Sequence, residues 1–145
     1  MSTTPPGKSV LVVDDDSLTR SALVLALESA GYKVHQAANG REAFGVLHTT
    51  PPPSAILLDI VMPHMNGWEF LRERDTNDPG LADIPVIIYS AVCEASPRMP
   101  LPRGVKKLLS KPVECGEVLT ALSEILDTLE QETLAEYSPA RASPS

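Results

Sequence analysis

Cysteine is scarce. The two that occur, Cys93 and Cys115, are too few for a disulfide framework and lack metal-ligand spacing, so they read as reduced thiols of core type. Long apolar runs are missing as well, since no stretch approaches the roughly 18 residues that span a bilayer. The opening MSTTPPGKSV has no apolar segment of signal-peptide length, which points to a cytoplasmic chain. Positive charge is the third shortage. Lys and Arg number 12 against 19 Asp and Glu, a formal net charge of -7, and the basic residues are scattered. A nucleic-acid backbone calls for a clustered basic face, so neither nucleic acid nor membrane is an expected partner.

What is present is an ordinary globular composition, 43% apolar and 21% charged. The 145 residues suffice for one domain with a substantial core and are too few for two. The chain is organised around residues 55–71, AILLDIVMPHMNGWEFL. Four apolar residues run directly into Asp59, and Met-Pro and Asn-Gly turn signals follow before a helical pattern. A run of that length reads as a strand buried on both faces. A carboxylate at its end lies where open α/β sheets place their ligands.

The rest of the chain repeats that design. Residues 10–13 (VLVV) end in Asp14-Asp15-Asp16, residues 86–89 (VIIY) end at Ser90, and residues 105–109 (VKKLL) end at Ser110-Lys111-Pro112. A more polar run at 33–37 (KVHQA) suits a sheet edge. Helical patterns fill 17–30, stopped by Gly31, then 41–48 after an Asn39-Gly40 turn, 66–74, and 115–136. Such alternation specifies a parallel sheet with helices on both faces. The expected architecture is a flavodoxin-like, doubly wound five-stranded sheet of order 2-1-3-4-5. Pro97, Pro100 and Pro102 fall where its fourth helix should lie, and each interior proline costs a helix about 3 kcal/mol. That helix is expected to be reduced to a turn or missing. Residues 1–8 read as a flexible lead, 9–136 as the domain and 137–145 as a disordered tail.

In that strand order the ends of strands 1 and 3 converge, bringing Asp14 and Asp15 to Asp59. Two carboxylates about 4 Å apart repel by roughly 4 kcal/mol at an effective dielectric near 20. A divalent cation removes the repulsion, and hard oxygen ligands with room for water favour Mg²⁺. It would make Asp59 a feasible nucleophile toward phosphorus, since aspartyl phosphate is a known covalent intermediate. Ser90 can donate to a phosphoryl oxygen, and Lys111 can pair with it as a compact charge.

Over about residues 9–129 the chain resembles the response-regulator receiver domain of two-component signalling, through VLVVDDDS, LLDIVMPHMNG, VIIYSA and LLSKP. The resemblance implies that Asp14 and Asp15 hold Mg²⁺. It implies that Asp59 ligates the metal and accepts phosphate from a sensor histidine kinase or histidine phosphotransfer protein. Val61 would give the ion its backbone carbonyl, and Ser90 and Lys111 would contact the phosphoryl group. Self-catalysed transfer and autodephosphorylation, rather than enzymatic turnover, are implied. About nine polar residues follow the last helix, so the expectation is a stand-alone receiver acting through a downstream protein. One departure is Leu108, which occupies a strand-5 position where receivers commonly carry a switching aromatic. This departure and the prolines motivate an alternative, a phosphorylation-independent interaction module with a vestigial site. A third reading takes Asp14-x-Asp16 as the nucleophile pair of a haloacid-dehalogenase-type phosphohydrolase, but it leaves Asp59 unexplained.

Other residues carry plainer readings. Asp16 and Ser17 suit a helix start. His35, His48 and His64 read as surface residues, and Trp68 and Phe70 as core or interface. For the fourth connection, amide hydrogen exchange is expected to show no continuous protected helix across residues 94–104. A protected run there would overturn the reading.

Overall fold

Two aliphatic runs with no polar residue, Val10–Val13 and Ala55–Leu58, fill the middle of the sheet because only both-face burial satisfies such sequences. The computed structural model describes residues 8–62, 65–90, 104–111 and 114–137. Strand β1 (Ser9–Val13) lies between β2 (Lys33–Ala37) and β3 (Ala55–Leu58), with β4 (Val86–Ser90) and β5 (Val105–Ser110) beyond. The order is β2-β1-β3-β4-β5, and every pairing is parallel, as expected from the sequence. The two edges carry exposed lysines, Lys33 on β2 and Lys106 and Lys107 on β5, which discourage pairing with another chain.

The helices are α1 (Ser17–Ser29), α2 (Gly40–Thr49), α3 (Gly67–Asn77) and α4 (Cys115–Tyr137). Strand side chains alternate between faces, which divides the core in two. Leu11, Val13, Ile56, Leu58, Val86 and Ile88 pack with Phe44 and Leu47 of α2 and Phe70 and Leu71 of α3. Val10, Val12, Leu57, Ile87 and Tyr89 pack with Leu23 and Leu27 of α1 and Val118 and Leu122 of α4. Phe70 is fully buried, and Trp68 packs partly buried beside it. His48 is exposed, as expected, and pairs with Asp78 at 3.1 Å.

The Asn-Gly pairs differ from a plain turn reading. Asn39 and Asn66 are N-caps, each accepting the amide of the glutamate three residues on, at 2.8 Å. Glu69 returns the bond to the Asn66 amide at 2.9 Å, completing a capping box. Each glycine is therefore the first residue of its helix rather than part of a turn. Gly31, at φ 101°, ends α1 as expected. The expectations for the fourth connection, for His64 and Cys93, and for the ends at 1–7 and 138–145 fall outside the described residues.

One feature of β5 was not read from the sequence. Val86 pairs with Val105 but Ile87 pairs with Lys107, so Lys106 is an extra residue in the edge strand. The bulge reverses side-chain parity, so that Val105 and Leu108, three residues apart, both pack on the α2/α3 face. It also sets Ser110 opposite Ser90, which brings Lys111 to the strand-end rim.

Gly104, entering β5, has φ +88°, and a Cβ there would lie 2.7 Å from the Ala82 carbonyl oxygen and 2.8 Å from that of Ile84. Left-handed backbone costs an L-residue about 1–2 kcal/mol before any clash. Gly104→Ala is expected to lower urea-unfolding stability by about 2 kcal/mol or more. Gly80→Ala, where a Cβ meets nothing within 4 Å, is the control, expected within about 0.5 kcal/mol of wild type.

Candidate functional site

The β1 and β3 registers place Val13 beside Leu58, so the next residues, Asp14 and Asp59, emerge side by side. Their amides extend the ladder: Asp14 donates to the Ala37 carbonyl at 3.1 Å and Asp59 to that of Val13 at 3.0 Å. The backbone therefore fixes where both carboxylates begin. Asp14 is fully buried, Asp59 is 3% exposed, and Asp15 is exposed. One carboxylate oxygen from each of Asp14, Asp15 and Asp59 lies within 4.8 Å of the others. Three hard anionic oxygens so close fit a divalent cation such as Mg²⁺. These are the residues that would hold it.

Lys111 supplies positive charge from the end of β5. Its Nζ lies 3.3 Å from Asp59 Oδ2 and 3.5 Å from Asp14 Oδ2. Burial alone would lower the proton affinity of this ammonium, but the two carboxylates outweigh it and raise it above the usual lysine range. Asp59 moves upward too. Burial is the largest cause and the Asp14 charge adds to it, while Lys111 opposes both. One lysine thus offsets only part of the negative charge collected here.

The remaining expected residues take their places around this pair. Ser90 ends β4 fully buried, and its carbonyl accepts the Lys111 amide at 3.1 Å. Val61 reaches the site through its amide, which donates to Asp59 Oδ1 at 3.2 Å. Asp16 occupies the N-cap of α1, yet its carboxylate accepts from the Thr19 hydroxyl rather than from a backbone amide. That bond holds the Asp16 carboxyl below its usual range. Asp16 does not join the acidic cluster of Asp14, Asp15 and Asp59.

Three contributors were missed in the sequence. Tyr89 donates its hydroxyl to Asp14 Oδ2 at 2.8 Å, and Lys111 Nζ lies 5.1 Å from the centre of its ring. Burial and the neighbouring Asp14 hold this phenol well above its usual range, so it remains a donor. A tyrosine in an otherwise aliphatic run was the available signal, because a buried phenol needs a partner. Arg20 donates to the Asp14 carbonyl at 2.6 Å and to Gln36 Oε1 at 3.0 Å, tying the acidic loop to β2. Gly67 lies against the end of β3, where a Cβ would sit 2.8 Å from the Asp59 carbonyl oxygen. Neither of these two gives a signal that sequence spacing alone could turn into a contact.

A doubly wound parallel sheet with acids ending β1 and β3, a hydroxyl ending β4 and an ammonium ending β5 is a specific combination. Residues 10–123 match the model of the response regulator receiver domain, and the chain belongs to that family. It is 37% identical over 119 residues to the response regulator receiver protein CpdR of Brucella abortus, covering 82% of this chain and 97% of that protein. It is 35% identical to the response regulator MprA of Mycolicibacterium vanbaalenii, over 81% of this chain and 49% of that protein. The chain thus spans about half the length of the first curated relatives it matches. Among solved structures, a CheY-like receiver domain protein from Methanospirillum hungatei superposes with a TM-score of 0.74 at 30% identity, covering 86% of this chain and 98% of that one.

Because folding raises the Asp59 pKa, the folded state binds more protons than the unfolded state between the two values. Stability therefore falls as pH rises through that window, and ionised Asp59 is a destabilising element at neutral pH. Asp59→Asn is expected to melt at a higher temperature than wild type at pH 7. The gain should shrink as pH falls through the carboxylate range toward about 4. Thermal melts across that range check both the sign and the trend.

Proposed function

We propose that this protein is a phosphoacceptor of a two-component phosphorelay, phosphorylated on Asp59 in a Mg²⁺-dependent reaction. The donor is a sensor histidine kinase or a histidine phosphotransfer protein, and the output is docking to a downstream protein in the cytoplasm. The observation that carries this reading is the cluster of Asp14, Asp15 and Asp59 within 4.8 Å, with Lys111 Nζ 3.3 Å from Asp59. Membership of the receiver family supports it. Among the described residues, no helix is long and apolar enough to cross a membrane.

In the proposed reaction an Asp59 carboxylate oxygen forms a bond to phosphorus as the donor's phosphorus–nitrogen bond breaks. Asp14, Asp15 and Asp59, with the Val61 carbonyl, would hold Mg²⁺, and the ion would supply charge neutralisation for the carboxylates and the incoming group. Lys111 already faces Asp59 and pairs with the phosphoryl oxygens once they arrive, and the Ser90 hydroxyl donates to one of them. The phosphoryl group adds about -1.5 to -2 charges at the rim. That draws Lys111 and the strand-end loops toward it and shifts an existing equilibrium between conformers. The chemistry is self-catalysed transfer and autodephosphorylation rather than turnover of a small substrate.

Acetyl phosphate with MgCl₂ is expected to add one phosphoryl group to the wild-type chain by intact mass. Neither Asp59→Asn nor wild type in excess chelator should be modified. Modification persisting in Asp59→Asn, or absent from wild type with Mg²⁺, would falsify the assignment.

A further inference from the structure

Tyr89 stands out among the residues lining the α1/α4 face of the sheet. Its neighbours in that layer, Val10, Val12, Leu57 and Ile87, are aliphatic and fully buried. Tyr89 is equally buried, so its ring alone meets the packing requirement and its hydroxyl needs a separate explanation. That hydroxyl donates to Asp14 Oδ2 at 2.8 Å. The other Asp14 oxygen, Oδ1, accepts the Asp16 amide at 2.9 Å. Both oxygens of a fully buried carboxylate are therefore anchored from opposite ends, which fixes the plane of the group.

The same tyrosine also touches Lys111. The ammonium lies 5.1 Å from the ring centre, within the range of a cation–π contact. It is 3.5 Å from the very oxygen to which the phenol donates. Remove the hydroxyl, and Lys111 becomes the remaining partner of Asp14 Oδ2 among the described residues. The ammonium would then close onto Asp14 and compete with a divalent cation for it.

We infer that Tyr89 is a positioning residue for the acidic centre: its hydroxyl orients Asp14 toward the cation and keeps Lys111 from collapsing onto that carboxylate. The inference rests on the Mg²⁺-dependent reading above. Groups that orient metal ligands in this way commonly change metal affinity by 10- to 100-fold when removed.

The test is an MgCl₂ titration of the full chain followed by amide chemical shifts, comparing wild type with Tyr89→Phe. The variant keeps the ring and the core packing, and its metal-free amide spectrum reports whether the fold is retained. Its dissociation constant for Mg²⁺ is expected to rise about tenfold. A purely packing role would leave the metal affinity unchanged, and that result overturns the inference. In wild type, the Tyr89 ring carbon bearing the hydroxyl should shift with the same Mg²⁺ midpoint as the Asp14 carboxyl carbon. An unmoved Tyr89 signal also overturns the inference, independently of how the variant folds. Wild type that binds no Mg²⁺ overturns the metal-dependent reading and this inference with it. Normal binding by both proteins overturns the role of Tyr89 alone.

Discussion

Asp14 and Asp59 are forced together by the backbone. Parallel pairing of β1 with β3 sets their Cα positions, and each amide is committed to the ladder, so neither residue can retreat. Near 4 Å, at an effective dielectric of about 20, each such carboxylate pair costs roughly 4 kcal/mol. Lys111 offsets part of that cost by approaching both residues, at 3.3 and 3.5 Å. The features around the rim answer the same problem. The Val61 amide and the Tyr89 hydroxyl donate to the two carboxylates, and Arg20 secures the loop that carries Asp14 and Asp15. The charge left over fits a divalent cation.

The scaffold supports this concentration of charge because its core is rigid and divided. Aliphatic strands pack on α2 and α3 through one face and on α1 and α4 through the other, so the strand ends hold fixed positions. The strand-end carboxylates and Lys111 then sit at one rim of the sheet, the usual place for function in such folds. Gly67 shows how tight the fit is. The start of α3 lies so close to the Asp59 backbone that even a methyl group would meet the carbonyl at 2.8 Å. The position of the α3 start and that of the Asp59 backbone are thereby linked.

Leu108 packs partly buried on the α2/α3 face, opposite Ile88. The aromatic that does contact the site is Tyr89, on β4 and on the other face. Its hydroxyl faces the acids rather than the solvent side of β5.

The order of buried runs and turn signals determined the doubly wound sheet, because period, length and flanking residues act locally and survive in sequence. The same local logic put Asp14, Asp59, Ser90 and Lys111 at strand ends, with Asp15 one residue further on. It also went wrong locally at Asn39-Gly40, where the side-chain cap made a helix start out of an apparent turn. Only tertiary structure decided the contacts between strands distant in sequence. The Lys106 bulge sets β5 parity through the register with β4. Tyr89 meets Asp14 across 75 residues, and Arg20 meets Gln36 across 16. Such contacts depend on side-chain direction and reach after the sheet is assembled. Residue type alone does not encode them, whereas the strand-end carboxylates are placed by the backbone itself.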